Sequence, residues 1–212
     1  MQNVILLACG SFNPPTIAHI RMMELAKKHV QSLGLNVIAG FFSPVHDAYE
    51  KPGLAPSHHR MNMLKLAVGD SPWLDAYGWE ALRHHWTPTV HVMLHLTHWY
   101  PKYRVMLVAG SDICKSFNVP DLWLDADLRC ICSKQHGLIL IERVPFEESM
   151  KELDKNPVTS KLLENIYFVH QPVRDDISST KVRMLNKSGQ KIEHLVPAGV
   201  AEYIKRNLLY KE

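Results

Sequence analysis

From the N-terminus, apolar positions fall into blocks that alternate between two periods. Val4-Ile5-Leu6-Leu7-Ala8-Cys9 is a continuous apolar run of strand length, as expected where a strand is buried on both faces. A loop with two prolines follows. From about Ile17 to Ser32 the apolar residues Ile20, Met23, Leu25, Ala26 and Val30 recur roughly at helical spacing, and Gly34 is placed to end that helix. Val37 to Phe42 reads as a second strand. Ser57 is expected to cap a helix reaching about Val68, and Pro88 to Trp99 reads as another helix. Arg104–Ala109, Leu138–Ile141 and Ile166–Val169 are expected strands, and about Ser179–Lys187 and Ala198–Asn207 are expected helices. The polar stretch from Val144 to Pro157 is expected to hold a helix with loops.

Strands alternating with helices predict an α/β protein with a Rossmann-like, doubly wound parallel sheet and helices on both faces. No internal repeat and no Pro-, Gly- or Ser-rich linker divides the chain, so residues 1–212 are expected to form a single domain. The hydrophobic fraction, 46%, is enough for a sizeable core and argues against disorder. The formal charge of +3 comes from scattered basic residues, which points away from nucleic acid and toward small anionic ligands. Cys9, Cys114, Cys130 and Cys132 form no CxxC pair, so neither zinc nor a disulfide framework is expected. No apolar run approaches about 18 residues, so no membrane span is expected. The first apolar run breaks at Gly10, unlike a signal peptide, and an intracellular protein, cytoplasmic or nuclear, is expected.

The candidate chemistry starts where the first strand ends. In an open parallel sheet ligands sit beyond the carboxyl ends of the strands, which is the place of Gly10, Ser11 and Phe12. Gly10, lacking a side chain, is expected to let a ligand approach the backbone. Thr16 is placed to cap the next helix, with His19 in its first turn, where unpaired N–H groups and a partial positive charge favour phosphate. A second such start is Ile177-Ser178-Ser179-Thr180-Lys181-Val182-Arg183, whose hydroxyls either cap the helix or, with the nearby cations, hold a polyphosphate. Gly110 and Asp112 end another strand, where the aspartate can accept from ribose hydroxyls or cap a helix. His91, His95 and His98 share a helix face, but no acidic or cysteine partner stands near them and a solvated face is the expected reading. Walker A and GxGxxG sequences are both absent.

Gly10-Ser11-Phe12-Asn13-Pro14-Pro15-Thr16-Ile17-Ala18-His19-Ile20-Arg21 resembles the signature of the nucleotidylyltransferase superfamily with its (H/T)xGH motif, and more narrowly the nicotinamide mononucleotide adenylyltransferases of the eukaryotic type. Ala18 stands where the wider superfamily usually has glycine. Ile177 to Arg183 is similar to the family's ISSTxxR, Ser43 to Lys51 to its SPVxDAYxK, and Ala109 to Asp112 to its G-(A/S)-D. Glu50 and Pro52 replace basic residues common in relatives, and Asp175 stands where they often have asparagine.

The resemblance implies transfer of AMP from ATP to nicotinamide mononucleotide, and also to nicotinate mononucleotide, giving NAD or deamido-NAD and pyrophosphate in NAD biosynthesis. It assigns ATP to Gly10, Ser11, Phe12, Thr16, His19, Gly110, Asp112, Ser178, Ser179, Thr180 and Arg183, with His19 and Arg183 catalytic. It assigns the mononucleotide to Ser11, Lys51, Trp79 and Trp123, the two indoles flanking the pyridine ring, which cation–π attraction would favour. Mg²⁺ is expected to travel with ATP, held by phosphates and water, with no protein metal site. A homo-oligomer is implied, with neither nucleic acid nor membrane as partner. An acceptor that is pantetheine phosphate or another phosphorylated group, and a nucleotide-binding or chaperone-like module that has lost catalysis, are the two other readings.

Overall fold

A computed structural model describes residues 2–49, 51–172 and 176–211. Glu50 and Asp175, the two departures noted above, lie outside the described residues. In chain order the elements are β1 (Asn3–Gly10), α1 (Ile17–Ser32), β2 (Asn36–Pro44), α2 (Ser57–Val68), β3 (Leu74–Ala76), α3 (Thr89–Trp99), β4 (Arg104–Gly110), α4 (Asp125–Ile131), β5 (Leu138–Ile141), α5 (Phe146–Lys155), β6 (Ile166–Val169), α6 (Ser179–Lys187) and α7 (Ala198–Arg206). A 3₁₀ segment, Ser111–Asn118, follows β4 directly.

The strands form one six-stranded sheet in the order β3-β2-β1-β4-β5-β6, the Rossmann-like α/β arrangement that the alternation predicted. β1–β4, β2–β3, β4–β5 and β5–β6 pair in parallel, with Val4 opposite Arg104, Gly40 opposite Leu74 and Leu138 opposite Ile166. β1 begins the first half of the fold and β4 the second, so Gly10 and Gly110 are the residues that end equivalent strands.

Packing separates two compact units, each assembled from three stretches that alternate along the chain. The first comprises Met1–Ala8, Met22–Ile38 and Thr89–Arg174. Its centre is made by β1, β4 and β5, where Val4 to Ala8, Val105 to Val108 and Leu138 to Ile141 are all buried. α1 turns Met22, Met23, Ala26 and Val30 inward at helical spacing. Cys114 and Cys132 are buried here and none of the four cysteines forms a disulfide; burial pushes both of those thiols up to about 12, leaving them protonated.

The second unit comprises Cys9–Arg21, Ala39–Pro88 and Asp175–Glu212. Its core joins Met63 of α2 to Val182 of α6, to Val200, Ala201 and Ile204 of α7, and to Ile192, Leu195 and Val196 between those helices. The C-terminal segment thereby fixes the loop after β1, because Ile17 N–H donates to Leu195 C=O at 3.0 Å. Among the described residues no helix is long and apolar enough to cross a membrane.

Most expected elements occur within a residue or two of their expected ends. One capping expectation fails: Pro56 holds the N-cap position of α2 without a side-chain cap, and the Ser57 hydroxyl donates instead to Asp47 Oδ2 at 2.9 Å. Ser57 is the first residue inside the helix, one position past the cap, where its hydroxyl donates to the nearby carboxylate. On α3, the Trp99 indole donates to His95 Nε2 at 3.0 Å, and among the described residues no group of three or more His, Cys, Asp or Glu could hold a metal ion.

Candidate active site

The loop leaving β1 is built around the Phe12 ring. Phe12 has φ +44°, in the left-handed region that costs a non-glycine residue about 1–2 kcal/mol, and its ring is buried edge-on against His19 and Phe42 at centroid distances of 5.1 and 5.3 Å. A Cβ on Gly10 would stand 3.3 Å from that ring. Gly10 therefore packs closely under the Phe12 ring. Phe12, assigned to ATP by resemblance, offers its ring as a wall for the His19 imidazole.

Thr16 and His19 meet as their spacing suggests, but through different atoms. His19 N–H donates to Thr16 C=O at 3.1 Å, entering α1. The Thr16 backbone N–H donates to His19 Nδ1 at 2.9 Å, and Thr16 Oγ1 lies 2.8 Å from the same nitrogen. A backbone N–H can only donate, so Nδ1 accepts and the neutral ring carries its proton on Nε2. Thr16 thus fixes both the orientation and the tautomer of His19.

The start of α6 docks on this loop. Ser178 is the N-cap, its Oγ accepting from Lys181 N–H at 3.1 Å. Ser179 Oγ donates to Pro14 C=O at 2.7 Å; Arg183 donates through Nη1 to Asn13 C=O at 2.8 Å and through Nη2 to Thr180 Oγ1 at 3.4 Å. Lys51 Nζ donates to Ser11 Oγ at 3.2 Å. Partial burial of that ammonium, and then the Arg183 guanidinium, lower its pKa. Two cations are thus held near one another, and neither has an acidic partner among the described residues. Such crowding is unfavourable until an anion arrives.

Residues that the sequence did not single out hold this geometry. Arg60 is fully buried and donates to Ala55 C=O (2.7 Å), Ser11 C=O (3.1 Å), Val45 C=O (2.7 Å) and Asp47 Oδ1 (2.8 Å). Burial opposes ionisation of Asp47, yet the Ser57 amide, the Arg60 guanidinium and the Ser57 hydroxyl outweigh it and hold its pKa below the usual range. Asn13 is buried too: its Nδ2 donates to Gly53 C=O (2.7 Å), and its Oδ1 accepts from Ala55 N–H (3.1 Å) and the Tyr210 hydroxyl (2.7 Å). One signal was present in the chain. Arg60 lies on the same helical stripe as Met63 and Leu64, and an arginine on an apolar stripe has to find acceptors.

Trp79 belongs to this unit and is half-buried, with the Arg83 guanidinium carbon 4.6 Å from its ring centroid. Gly110, Asp112 and Trp123 belong to the other unit. A Cβ on Gly110 would fall 2.5 Å from Asp112 Oδ1 and 2.6 Å from Arg143 Cδ, so this glycine makes room for the Asp112–Arg143 pair, whose charged atoms are 3.9 Å apart. Ser111 Oγ accepts from the N–H groups of Arg143 and Val144, at 3.0 and 3.2 Å, fixing the turn. Trp123 donates through Nε1 to Ser116 Oγ at 3.0 Å and packs edge-on against Phe117 at 5.3 Å.

The chain matches the cytidylyltransferase-like family over residues 7–185. It is 36% identical to the nicotinamide/nicotinic acid mononucleotide adenylyltransferase 1 of Bos taurus, with 98% of this chain and 88% of that protein covered. It is 34% identical to the corresponding protein of Arabidopsis thaliana, with 99% and 90% covered. The chain belongs to the nicotinamide/nicotinic acid mononucleotide adenylyltransferase family. A solved structure, the Plasmodium falciparum nicotinic acid mononucleotide adenylyltransferase complexed with NaAD, is similar in fold, with a TM-score of 0.71, 20% identity and coverage of 99% of this chain and 98% of that one. Within this adenylyltransferase, the loop after β1, Lys51 and the start of α6 are brought together in one unit, while Asp112 and Trp123 are carried by the other.

Proposed function

We propose that this chain transfers the adenylyl group of ATP to nicotinamide or nicotinate mononucleotide, releasing pyrophosphate. The observation that carries the reading is the pairing of Lys51 and Arg183, without acidic partners among the described residues, beside a loop in which Thr16 holds His19 with its proton on Nε2. In this reading an oxygen of the mononucleotide's 5′-phosphate attacks the α-phosphorus of ATP, and the bond to the departing pyrophosphate breaks. No side chain forms a covalent intermediate. Catalysis is positioning and charge stabilisation.

His19 donates from Nε2 to the transferring phosphoryl group as charge builds on it. Arg183, with the N-terminal amides of α6, holds the polyphosphate, and Lys51 with Ser11 holds the acceptor phosphate. Ser178 and Ser179 contribute chiefly by building that helix start, since one hydroxyl caps it and the other docks it. Mg²⁺ comes as part of the ATP substrate; hydroxyls and cations, rather than a carboxylate cage, are the groups presented by this unit to phosphates, and they fit a metal carried by the nucleotide. Asp112 and Trp123 are proposed on the resemblance for the ATP ribose and the pyridine ring, as is Trp79 for that ring. A homo-oligomer is likewise proposed on the resemblance.

The test is NAD formation from ATP, Mg²⁺ and nicotinamide mononucleotide, and deamido-NAD formation from the acid. Absence of both products with a well-folded protein would overturn the reading. His19→Ala is expected to lower kcat by about 10²-fold or more, the usual consequence of losing one preorganised donor. Turnover within a few-fold of normal would remove His19 from the mechanism.

A further inference from the structure

The segment after β3 carries the cation Arg83. The Arg83 backbone N–H donates to Glu80 C=O at 3.3 Å, and the guanidinium carbon stands 4.6 Å from the Trp79 ring centroid. Its Nη2 reaches His85 Nε2 at 3.2 Å, whereas its Nε is buried and has no hydrogen-bond partner among the described residues. No carboxylate among them pairs with Arg83; the neighbouring Glu80 instead accepts from the Ser43 hydroxyl at 2.9 Å. A buried guanidinium N–H left unmade is costly, so a turn of this side chain that brings it to a ligand's acceptor is favoured.

The two acceptor mononucleotides share their ribose, their 5′-phosphate and their pyridinium ring. They differ in one ring substituent, a neutral carboxamide or an anionic carboxylate. A guanidinium on the face of Trp79 responds to that difference. It repels a bare pyridinium, and its planar fork matches a carboxylate in two parallel bonds. A carboxamide offers one oxygen and no charge.

We propose that Arg83 is a specificity-determining residue that takes the ring carboxylate of nicotinate mononucleotide, making the acid form the preferred acceptor. This rests on the reading of Trp79 as a residue of the pyridine subsite. Arg83 would act on the ring substituent, distinct from the phosphate-holding role given to Lys51 and Arg183.

The experiment measures kcat/KM for both mononucleotides at saturating ATP and Mg²⁺, with the unaltered protein, Arg83→Ala and Arg83→Lys. The unaltered protein is expected to favour the acid. Arg83→Ala is expected to lower the acid-to-amide ratio about tenfold or more, the effect of losing a charge-assisted bond, with the KM for ATP unchanged. Arg83→Lys is expected to keep part of the ratio, since the charge remains and the fork is lost. A ratio that stays the same in Arg83→Ala overturns the proposal. If both substrates then fall together, Arg83 serves the fold or the shared phosphate; if neither falls, it serves no substrate. Activity with the amide alone preserves the adenylyltransferase reading while the inference fails. No activity of the unaltered protein with either substrate overturns both.

Discussion

Replacing Glu80 with glutamine measures how much a buried carboxyl costs this fold. Glu80 is 2% exposed, and the Ser43 hydroxyl donates to its Oε2 at 2.9 Å. Burial raises its pKa from 4.5 to about 7, against the opposing effects of that hydrogen bond and of the Arg60 charge. Below the lower value both folded and unfolded chains are protonated, and the cost is absent. Between the two values the folded state keeps a proton that the unfolded chain has released, so stability falls as pH rises. Above the upper value both are ionised and the cost is complete. At about 1.4 kcal/mol for each tenfold change in ionisation, it amounts to about 3 kcal/mol. Glutamine has nearly the same shape, accepts from Ser43 through its amide oxygen and never ionises. Urea unfolding of Glu80→Gln is expected to show a gain over the unaltered protein that is about 2–3 kcal/mol larger near pH 8 than near pH 5, with an unchanged m value. A variant within about 0.5 kcal/mol of the unaltered protein at both pH values, or less stable near pH 8, would refute the reasoning.

Arg60→Met keeps the length of the side chain and removes every donor, leaving three backbone carbonyls and Asp47 without the partner they share. The expected loss of stability is about 3–5 kcal/mol by denaturant titration, and a loss under about 1 kcal/mol would show that water replaces the guanidinium. Gly110→Ala places a methyl group within 2.6 Å of Arg143 Cδ and closer still to Asp112 Oδ1, so both side chains must move. It is expected to cost about 1–3 kcal/mol of stability and to raise the KM for ATP; an unchanged KM would remove Asp112 from ATP binding.

The regular elements were legible where local pattern and tertiary demand agreed. Val4 to Ala8 reads as a buried strand because no position in it tolerates water, and those five residues are all buried. The spacing of Met23, Ala26 and Val30 likewise allows only one buried face, and Gly34, with φ +76°, ends that helix as its residue type suggests. β3, α4 and the 3₁₀ segment after β4 are among the elements that escaped. β3 has three residues, α4 has seven, and Ser111–Asn118 is a 3₁₀ segment. β3 and α4 are too short to show a period, and a 3₁₀ segment repeats at neither the helical nor the strand spacing.

The same division runs through the site. Local order alone placed Gly10, Ser11, Thr16 and His19 at the first strand–helix junction, and the hydroxyls of Ser178 to Thr180 at the start of a later helix. Contacts over long sequence separations decided what each atom does. Arg60 reaches Ser11 C=O across 49 residues, Arg183 crosses 170 to bind Asn13 C=O, and Tyr210 crosses 197 to the Asn13 side chain. Side-chain type and spacing determine which chemistry a segment can offer, because backbone geometry repeats locally. Burial, tautomer and charge pairing depend on what the rest of the chain brings alongside. That is why the sequence showed the strand-to-helix motif but not the buried Arg60 and Glu80, nor the Arg83 guanidinium on the face of Trp79.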